Sequence, residues 1–169
     1  MFDSIKQKLK QINLNDSTRY RKAGVLILLI KESEDDEYKI LFTKRSTKLK
    51  SHAGEVSFPG GKWEENDIDL YQTALRETFE ETGSKAKIKK AYTMFSLPHI
   101  NQVHMFFLAD LLDDNYGPTF ESSEVRLFDI EEILWDEIAF PTVKKTLEYY
   151  IEDSKKGAFI FREEGIKFW

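Results

Sequence analysis

The sequence contains no cysteine among its 169 residues. A chain without cysteine has no disulfide bond, no thiol nucleophile and no thiolate zinc site. Because proteins without disulfides are typical of a reducing cytosol, we expect a cytoplasmic location.

Long hydrophobic runs are also missing. The best of them, Val25 to Ile30, is far shorter than the roughly 20 apolar residues that a membrane-spanning helix requires. The amino terminus, MFDSIKQKLKQINLND, lacks the long apolar centre of a secretory signal. The sequence therefore predicts a protein with no membrane partner.

The sequence has no excess of positive charge. Its 25 lysine and arginine residues are outnumbered by 30 aspartate and glutamate residues, and the net charge is −5. Loose binding to a nucleic-acid backbone depends on positive charge, so we do not expect DNA binding. An enzyme that gains positive charge from bound metal ions remains compatible with this balance. The composition, 41% hydrophobic and 33% charged, is ordinary for a globular protein, and the length fits one domain.

A glycine turn followed by a helix is predicted between Phe58 and Ser84. The turn reads PGG, and an acidic loop follows it. The residues from about Ile68 to Thr82 are mostly good helix formers. Asn66 and Asp67 are candidate helix caps, and Gly83 is typical of a helix end.

Three glutamates on this predicted helix share one face because their spacing is i, i+3, i+4: Glu77, Glu80 and Glu81. Crowded carboxylates repel each other, which favours a hard divalent cation with oxygen ligands between them. Arg76 lies beside Glu77 and one turn before Glu80, so it is a candidate to orient a carboxylate through a forked hydrogen bond. The alternative is a solvated acidic helix face with a surface salt bridge.

The glycine turn and the helix together resemble the signature of the Nudix hydrolases. That signature combines a glycine, an acidic residue, an Arg-Glu pair, a Glu-Glu pair and a final glycine at set spacing. Apolar residues are usual where this chain has Thr78 and Ser84. The segment from Gly61 to Arg76 is one residue longer than the common spacing, and the acidic position falls at Asp67. The chain matches the second half of the signature at Arg76, Glu77, Glu80, Glu81 and Gly83.

A stretch upstream of the glycine turn resembles a further signature, that of the coenzyme A diphosphatases within the same family. The matching parts are LFTKRS from Leu41 to Ser46, then Lys50, Gly54 and FPGG from Phe58 to Gly61. The longer segment before the helix also resembles that subgroup. Lys50 stands where the subgroup has an arginine, and lysine lacks the bidentate fork of arginine.

The basic residues around this stretch allow two interpretations. A cationic loop beside a metal site suits a polyphosphate ester, which would make the loop a substrate-binding element. The alternative is a solvent-exposed connector. The basic residues concerned are Lys44, Arg45, Lys48 and Lys50.

The resemblance implies a set of site residues. Mg²⁺ or Mn²⁺ is expected at Glu77, Glu80 and Glu81, with the carbonyl of Gly60 or Gly61 completing the ligand shell. Arg76 is expected to orient a carboxylate. Glu121 and Glu124 are candidates for a later ligand or general base, and exposed loop acids are the alternative for both. The expected substrate-binding residues are Arg45, Lys50, Gly60 and Gly61.

The order of predicted elements gives an α+β fold. Phe2, Ile5, Leu9 and Ile12 recur at helical spacing, so residues 1–18 are expected to form an amphipathic helix and a linker, and residues 19–169 one domain. Strands are predicted at 23–30, 38–44 (paired with the first as a hairpin), 55–58, 86–96, 103–112, 125–128 and near 159–161; further helices are predicted at 129–135, with Asp129 as a cap, and at 141–153. This order, and the resemblance, imply a Nudix-like α/β/α sandwich with a mixed β-sheet.

The implied function is metal-dependent hydrolysis of a pyrophosphate bond in a nucleoside diphosphate derivative. Coenzyme A or acyl-CoA, giving 3′,5′-ADP and phosphopantetheine, is the first expected substrate. ADP-ribose, nucleotide sugars or dinucleoside polyphosphates are the alternative, because residues 135–150 resemble the carboxyl helix of small bacterial Nudix proteins outside the coenzyme A group. A nucleotide-sensing module without catalysis is a weaker alternative. The expected partner is a small-molecule nucleotide, and a homodimer is compatible with the sequence.

Overall fold

The computed structural model describes residues 20–31 and 37–167. The amphipathic helix expected within residues 1–18 lies outside these ranges. Among the helices that are described, none is both long and apolar enough to cross a membrane.

Eight strands and two α-helices form the described part of the chain. The strands are β1 (Arg21–Ile30), β2 (Lys39–Arg45), β3 (Val56–Ser57), β4 (Gly60–Lys62), β5 (Ala86–Leu97), β6 (Gln102–Leu111), β7 (Ser122–Phe128) and β8 (Arg162–Gly165). The helices are α1 (Leu70–Thr82) and α2 (Pro141–Lys156), with short 3-10 turns at Pro98–Ile100, Ile130–Glu132 and Trp135–Glu137.

Strand β1 lies at the centre of one mixed sheet. It runs parallel to β6, from Arg21 beside Gln102 to Leu29 beside Asp110. On its other side it is antiparallel to β4 and, at its end, to β2, where Leu29 lies opposite Ile40. Strand β2 also pairs with β3 and β7, and β5 is antiparallel to β6 and parallel to β8. The predicted hairpin and the predicted mixed sheet are confirmed.

Alternate residues of β1 face opposite sides of the sheet and begin two hydrophobic layers. Val25 and Ile27 pack in one cluster with Leu147 of α2. Leu26 packs in the other cluster with Ala74 of α1. Because each face of the sheet is covered by a helix, the predicted α/β/α sandwich is confirmed.

Helix α1 lies so close to β1 that position 24 has no room for a side chain. A Cβ on Gly24 would lie 2.5 Å from the carbonyl oxygen of Leu70 and 3.1 Å from the Cβ of Ala74. Any larger residue would push the start of α1 away from the sheet, since packed interiors leave little space to give way. This close contact sets the position of the acidic face of α1 relative to the strands.

The start of α1 corrects the predicted caps. Asp69 is the N-cap, in place of Asn66 or Asp67, and its Oδ1 accepts a 2.9 Å hydrogen bond from the backbone N–H of Gln72. The helix therefore begins at Leu70, two residues after the predicted start at Ile68. Asp67 does not cap it, because its side chain accepts hydrogen bonds from Arg76 and Thr73. The predicted end at Gly83 is confirmed, and its φ of 73° is the left-handed conformation that glycine adopts easily.

The segment after β7 differs from the single short helix predicted at 129–135. It forms two 3-10 turns, Ile130–Glu132 and Trp135–Glu137, and the Asp129 side chain makes no capping hydrogen bond. Ile133 and Ile138 are both buried. Residues five positions apart lie on different sides of an α-helix, so burying both favours two separate turns.

The carboxyl-terminal strand is held to the domain by a buried ion pair. Helix α2 starts at Pro141 as predicted but extends past Asp153 to Lys156. The carboxylate of Asp153 is fully buried and accepts hydrogen bonds of 2.7 and 2.6 Å from Arg162 of β8. The hydroxyl of Tyr92 in β5 donates a further bond of 2.7 Å. Arg162 holds the pKa of Asp153 well below its usual range. The strand predicted near 159–161 thus lies at Arg162–Gly165, where Arg162 can reach α2.

Replacing Asp153 with asparagine should destabilise the fold, because Arg162 would lose its buried counter-ion. We expect the free energy of unfolding, measured by urea denaturation, to fall by about 2 to 3 kcal/mol. The matched control is Glu152→Gln, since Glu152 is adjacent but pairs with Lys156 at the surface. Its urea midpoint should equal that of the wild type. A wild-type midpoint for Asp153→Asn would contradict the assigned role.

Candidate functional site

Three carboxylates, here called the carboxylate cluster, meet between α1 and β7. Glu77 and Glu81 come from α1, one turn apart, and Glu121 comes from the loop just before β7. One oxygen of each lies within 4.8 Å of the others. Glu81 is buried and the other two are half-buried. Carboxylate oxygens at this spacing suit a hard divalent cation.

Glu81 is the most buried member of the carboxylate cluster, with 2% of its surface exposed. Its Oε2 accepts a 3.1 Å hydrogen bond from the N–H of Gly60, and its Oε1 accepts one of 3.2 Å from Nη1 of Arg45. Burial raises the pKa of Glu81 to about 8, against the opposite effect of these two donors. A buried carboxylate beside two others is unfavourable by itself, which favours a cation as its counter-charge.

Close packing requires both glycines of β4. Gly60 has a φ of 153°, and a Cβ there would lie 2.5 Å from the carbonyl oxygen of Gly24. A Cβ on Gly61 would collide with the carboxylate of Glu77. Gly60 therefore brings its N–H to Glu81, and Gly61 leaves space for Glu77. The carbonyl of Gly60 as a metal ligand, and both glycines as substrate-binding residues, stay predictions.

Arg76 is fixed through all five of its N–H groups. Nε and Nη2 form a fork onto the two oxygens of Asp67, at 3.0 and 2.9 Å. Nη1 donates to Glu77 at 2.9 Å and to Glu80 at 3.0 Å, and Nη2 donates also to the carbonyl of Lys62 at 3.0 Å. The guanidinium group therefore holds one oxygen of Glu77 in place. The part of Arg76 in catalysis stays a prediction.

Asp67 is the partner of Arg76 that the sequence interpretation missed. It is 5% exposed, and it accepts hydrogen bonds from the hydroxyl of Thr73 at 2.9 Å and the N–H of Glu64 at 3.0 Å in addition to those from Arg76. These donors, Arg76 foremost, lower the pKa of Asp67 to about 2. The signal that could have identified it is the acidic position of the Nudix signature, at which Asp67 falls.

Glu80 lies outside the carboxylate cluster. Its side chain is 45% exposed, and its Oε2 pairs with Arg76 at 3.0 Å. Helical spacing places Glu77, Glu80 and Glu81 on one stripe, but it does not show which of them faces Glu121. The predicted role of Glu80 as a metal ligand stays a prediction.

A β-bulge separates the two later acids that the sequence suggested. Lys44 of β2 lies opposite Glu124 of β7, whereas the next residue, Arg45, lies opposite Ser122, so β7 has one extra residue here. Ser122 is buried and Glu124 is exposed. Glu121 therefore joins the carboxylate cluster, and Glu124 lies apart from it.

Of the two cationic residues expected to bind substrate, Arg45 reaches the carboxylate cluster and Lys50 lies apart. Arg45 contacts Glu81, and its carbonyl closes the loop of residues 46–55 through a 3.0 Å bond from the N–H of Gly54. Lys50 is exposed within that loop. Contact of either residue with a substrate stays a prediction.

The charges of the site leave room for a cation. Arg45 offsets Glu81, and Arg76 offsets Glu77, but Arg76 is shared with Asp67. Burial also raises the pKa of Glu77, although Arg76 opposes this. Because acidic groups outnumber these two arginines, the donor set fits Mg²⁺ or Mn²⁺, both of which prefer carboxylate oxygens.

Comparison with known proteins gives both a family and structural neighbours. A family model described as NUDIX domain matches residues 20–150. The structure of a NUDIX hydrolase from Nitrosomonas europaea aligns over 88% of this chain and 81% of its own, with a TM-score of 0.75 and 36% identity. An ADP-ribose pyrophosphatase from Streptococcus suis aligns over 85% and 98%, with a TM-score of 0.62, and its 17% identity shows a likeness of fold alone.

Two curated relatives come from Arabidopsis thaliana. The chloroplastic Nudix hydrolase 22 is 37% identical over 122 residues, which are 72% of this chain and 33% of that protein. The mitochondrial Nudix hydrolase 15 is 50% identical over 68 residues, or 40% of this chain and 24% of that protein. The matched segments thus span about a quarter to a third of these relatives. Because the NUDIX domain model covers well over half of the sequence, the chain belongs to the Nudix family.

Proposed function

We propose that the protein hydrolyses the pyrophosphate bond of a nucleoside diphosphate derivative with the help of Mg²⁺ or Mn²⁺. The observation that carries this proposal is the carboxylate cluster of Glu77, Glu81 and Glu121. Membership of the Nudix family and the names of the Arabidopsis hydrolases support it. In this proposal the described residues from 20 onward belong to the catalytic domain.

The carboxylate cluster has two tasks in this reaction, to hold the divalent cation and to accept a proton from the attacking water. Glu77, Glu81 and Glu121 would hold the divalent cation, which when bound supplies positive charge to the phosphate oxygens and makes an attached water more acidic. Gly60 and Arg45 each hold one oxygen of Glu81, which keeps that carboxylate in one orientation.

The proton from the attacking water needs an acceptor. Glu121 is favoured over Glu124 as this general base, because Glu121 reaches the cluster and Glu124 lies beyond the bulge. Arg76 holds Glu77 in a fixed position, since Asp67 fixes Arg76 in turn. A positioned carboxylate does not have to reorganise when the substrate arrives.

Coenzyme A or an acyl-CoA is the leading substrate within this class, cleaved to 3′,5′-ADP and phosphopantetheine. The support is the stretch from Leu41 to Gly61, which resembles the coenzyme A signature, and the contact of its Arg45 with the cluster. Arg45, Lys50, Gly60 and Gly61 would contact this substrate. ADP-ribose, a nucleotide sugar or a dinucleoside polyphosphate is the alternative, and the lysine at position 50 weakens the match to coenzyme A.

A nucleotide-sensing module without catalysis is the weaker alternative. A sensor has no need of three crowded carboxylates, of which Glu81 is buried at a cost in stability. A cytoplasmic location and a homodimer complete the proposal. The names of the two Arabidopsis relatives place those proteins in the chloroplast and the mitochondrion.

A substrate screen separates the leading substrate from the alternatives. The protein is incubated with coenzyme A, acetyl-CoA, ADP-ribose, UDP-glucose and diadenosine tetraphosphate, with Mg²⁺ and with Mn²⁺, and products are identified by mass. We expect 3′,5′-ADP from coenzyme A and no product after EDTA treatment. Turnover of ADP-ribose without cleavage of coenzyme A would move the assignment to the alternative class.

Glu81→Gln should lower kcat by more than about 100-fold, because it removes a charged ligand from the buried centre of the cluster. Glu80→Gln makes the same chemical change one residue away, where the carboxylate is held by Arg76, and we expect a loss of about tenfold or less. Titration with Mn²⁺ followed by electron paramagnetic resonance should show weaker binding in Glu81→Gln. Near-wild-type turnover in that variant would refute the metal assignment, and equal losses in both would support the predicted role of Glu80 as a further metal ligand.

Asp67→Asn should destabilise the fold in a way that depends on pH. Because the pKa of Asp67 falls from 3.8 to about 2 on folding, its ionised form contributes about 2 kcal/mol above about pH 4. That contribution is lost as the pH falls from about 4 through about 2. The difference in urea stability between wild type and variant should therefore be largest near neutral pH and shrink towards pH 2.

The matched control is Asp69→Asn, because asparagine also caps helices well. Its stability near neutral pH should equal that of the wild type. A loss in Asp67→Asn that stayed constant with pH would contradict the role of the ionised carboxylate.

A further inference from the structure

The backbone of Arg45 is held firmly, whereas its side chain is held by a single hydrogen bond. The N–H of Arg45 donates to the carbonyl of Glu55 at 2.9 Å, and the N–H of Ser46 donates to the carbonyl of Glu121 at 2.8 Å. Within the described residues the guanidinium group makes one bond, from Nη1 to Glu81 at 3.2 Å, and its buried Nε has no partner. The guanidinium group can therefore leave Glu81 while the backbone stays in place.

The second arginine of the site, Arg76, differs in this respect. All of its N–H groups donate, and two of them form the fork onto the buried Asp67. Arg45 is 24% exposed at its side chain and, among the residues described, donates through Nη1 alone. Arg45 is thus the arginine of the site that has donors left for a ligand.

Both oxygens of Glu81 already accept a hydrogen bond. Oε2 accepts from the N–H of Gly60, which the pairing of Gly60 with Val25 holds in the sheet, and Oε1 accepts from Arg45. A divalent cation on Glu81 would lie beside the guanidinium group, and like charges a few Å apart repel each other. Of the two donors only the Arg45 side chain is free to move away, so it is the one that a cation displaces.

A displaced guanidinium group requires another anion within reach. The phosphate groups of a pyrophosphate substrate would lie against the same cation, and a guanidinium group matches phosphate with two parallel hydrogen bonds. The unpaired Nε of Arg45, together with one Nη, supplies such a fork. Because the side chain is partly exposed at the edge of the carboxylate cluster, it can meet a phosphate there without movement of β2.

We propose that Arg45 is the counter-ion of Glu81 before a divalent cation binds, and that it exchanges this contact for the substrate phosphate when the cation is bound. The inference rests on the proposed function for the cation and the pyrophosphate, and it adds the exchange. Arg45 keeps Glu81 in one orientation in the first state and binds substrate in the second. Through this one side chain, metal binding and substrate binding favour each other.

The affinity for Mn²⁺ alone, measured by electron paramagnetic resonance without nucleotide, tests the exchange. Arg45→Met removes the charge and keeps much of the length, and it should bind Mn²⁺ about fivefold more tightly, because no cationic group has to be displaced. If Arg45 stayed on Glu81 beside the cation, its loss should weaken Mn²⁺ binding about tenfold. Unchanged or weaker binding in Arg45→Met, or no Mn²⁺ binding by the wild type, would overturn the proposal.

Two further variants separate the position of the charge from the charge itself. Lys44 precedes Arg45 on β2, and successive side chains of a strand point to opposite faces, so Lys44→Met should bind Mn²⁺ within about twofold of the wild type. Arg45→Lys keeps the charge and should also stay within about twofold. A gain in Lys44→Met equal to that in Arg45→Met would assign the effect to net charge and refute the role of Arg45.

Thermal unfolding gives a readout that is independent of the binding assay. In EDTA, Arg45→Met should melt about 3 °C below the wild type, because Glu81 loses its counter-ion. With saturating Mn²⁺ the two proteins should melt at the same temperature, since a ligand that binds the variant more tightly also stabilises it more. A deficit that persisted in Mn²⁺ would show that Arg45 remains on Glu81 and would contradict the exchange.

Binding of α,β-methylene-ADP, a nucleoside diphosphate whose phosphate bridge resists hydrolysis, tests the second half of the proposal. By calorimetry in saturating Mn²⁺, Arg45→Met and Arg45→Lys should each bind it about tenfold more weakly than the wild type, because both lack the fork. Equal affinity in all three proteins, or none in the wild type, would overturn the contact with phosphate. If these results hold but the wild type hydrolyses no screened compound, the proposed function fails while the exchange by Arg45 stands.

Discussion

The burial of the Glu81 carboxylate is the constraint on which the rest of the site depends. A carboxylate with 2% exposure is unfavourable unless its oxygens receive hydrogen bonds and its charge is balanced. One oxygen is satisfied by the N–H of Gly60 and the other by Arg45. The Gly60 donor depends on close approach of backbone, since Gly60 packs against the carbonyl of Gly24, and Gly24 in turn packs against α1. The glycines therefore bring α1, β1 and β4 together at the distance that the buried acid needs.

Arg76 links the buried Asp67 to the acidic face of α1. Its fork onto the buried Asp67 keeps that carboxylate ionised as a structural partner, with a pKa of about 2. Its remaining contacts reach Glu77 and Glu80 on the helix surface. Glu77, Glu81 and Glu121 are left as a group with surplus negative charge, which is the property that a divalent cation requires.

Strand β2 joins the two faces of the sheet. Its residues alternate, so Arg45 reaches Glu81 on the α1 side, while Phe42, three residues earlier, packs in the hydrophobic cluster on the α2 side. The bulge opposite Arg45 lies in β7, between Ser122 and Glu124.

The sequence by itself determined the features that depend on near neighbours. Local residue patterns predicted the hairpin of β1 and β2, the helix that ends at Gly83 and the helix that starts at Pro141. The i, i+4 spacing likewise predicted that Glu77 and Glu81 share a face. The family signature predicted an acidic residue at position 67, but it did not identify Arg76 as the partner of Asp67.

Tertiary structure alone decided which distant residues meet. It brought Glu121 to the cluster and left Glu80 out of it, it placed Glu124 beyond a bulge, and it paired Asp153 with Arg162. These outcomes depend on the register of β7 and on how closely α1 packs at Gly24. Strand register and packing distance arise from contacts across the whole sheet, and no local pattern of residues encodes them.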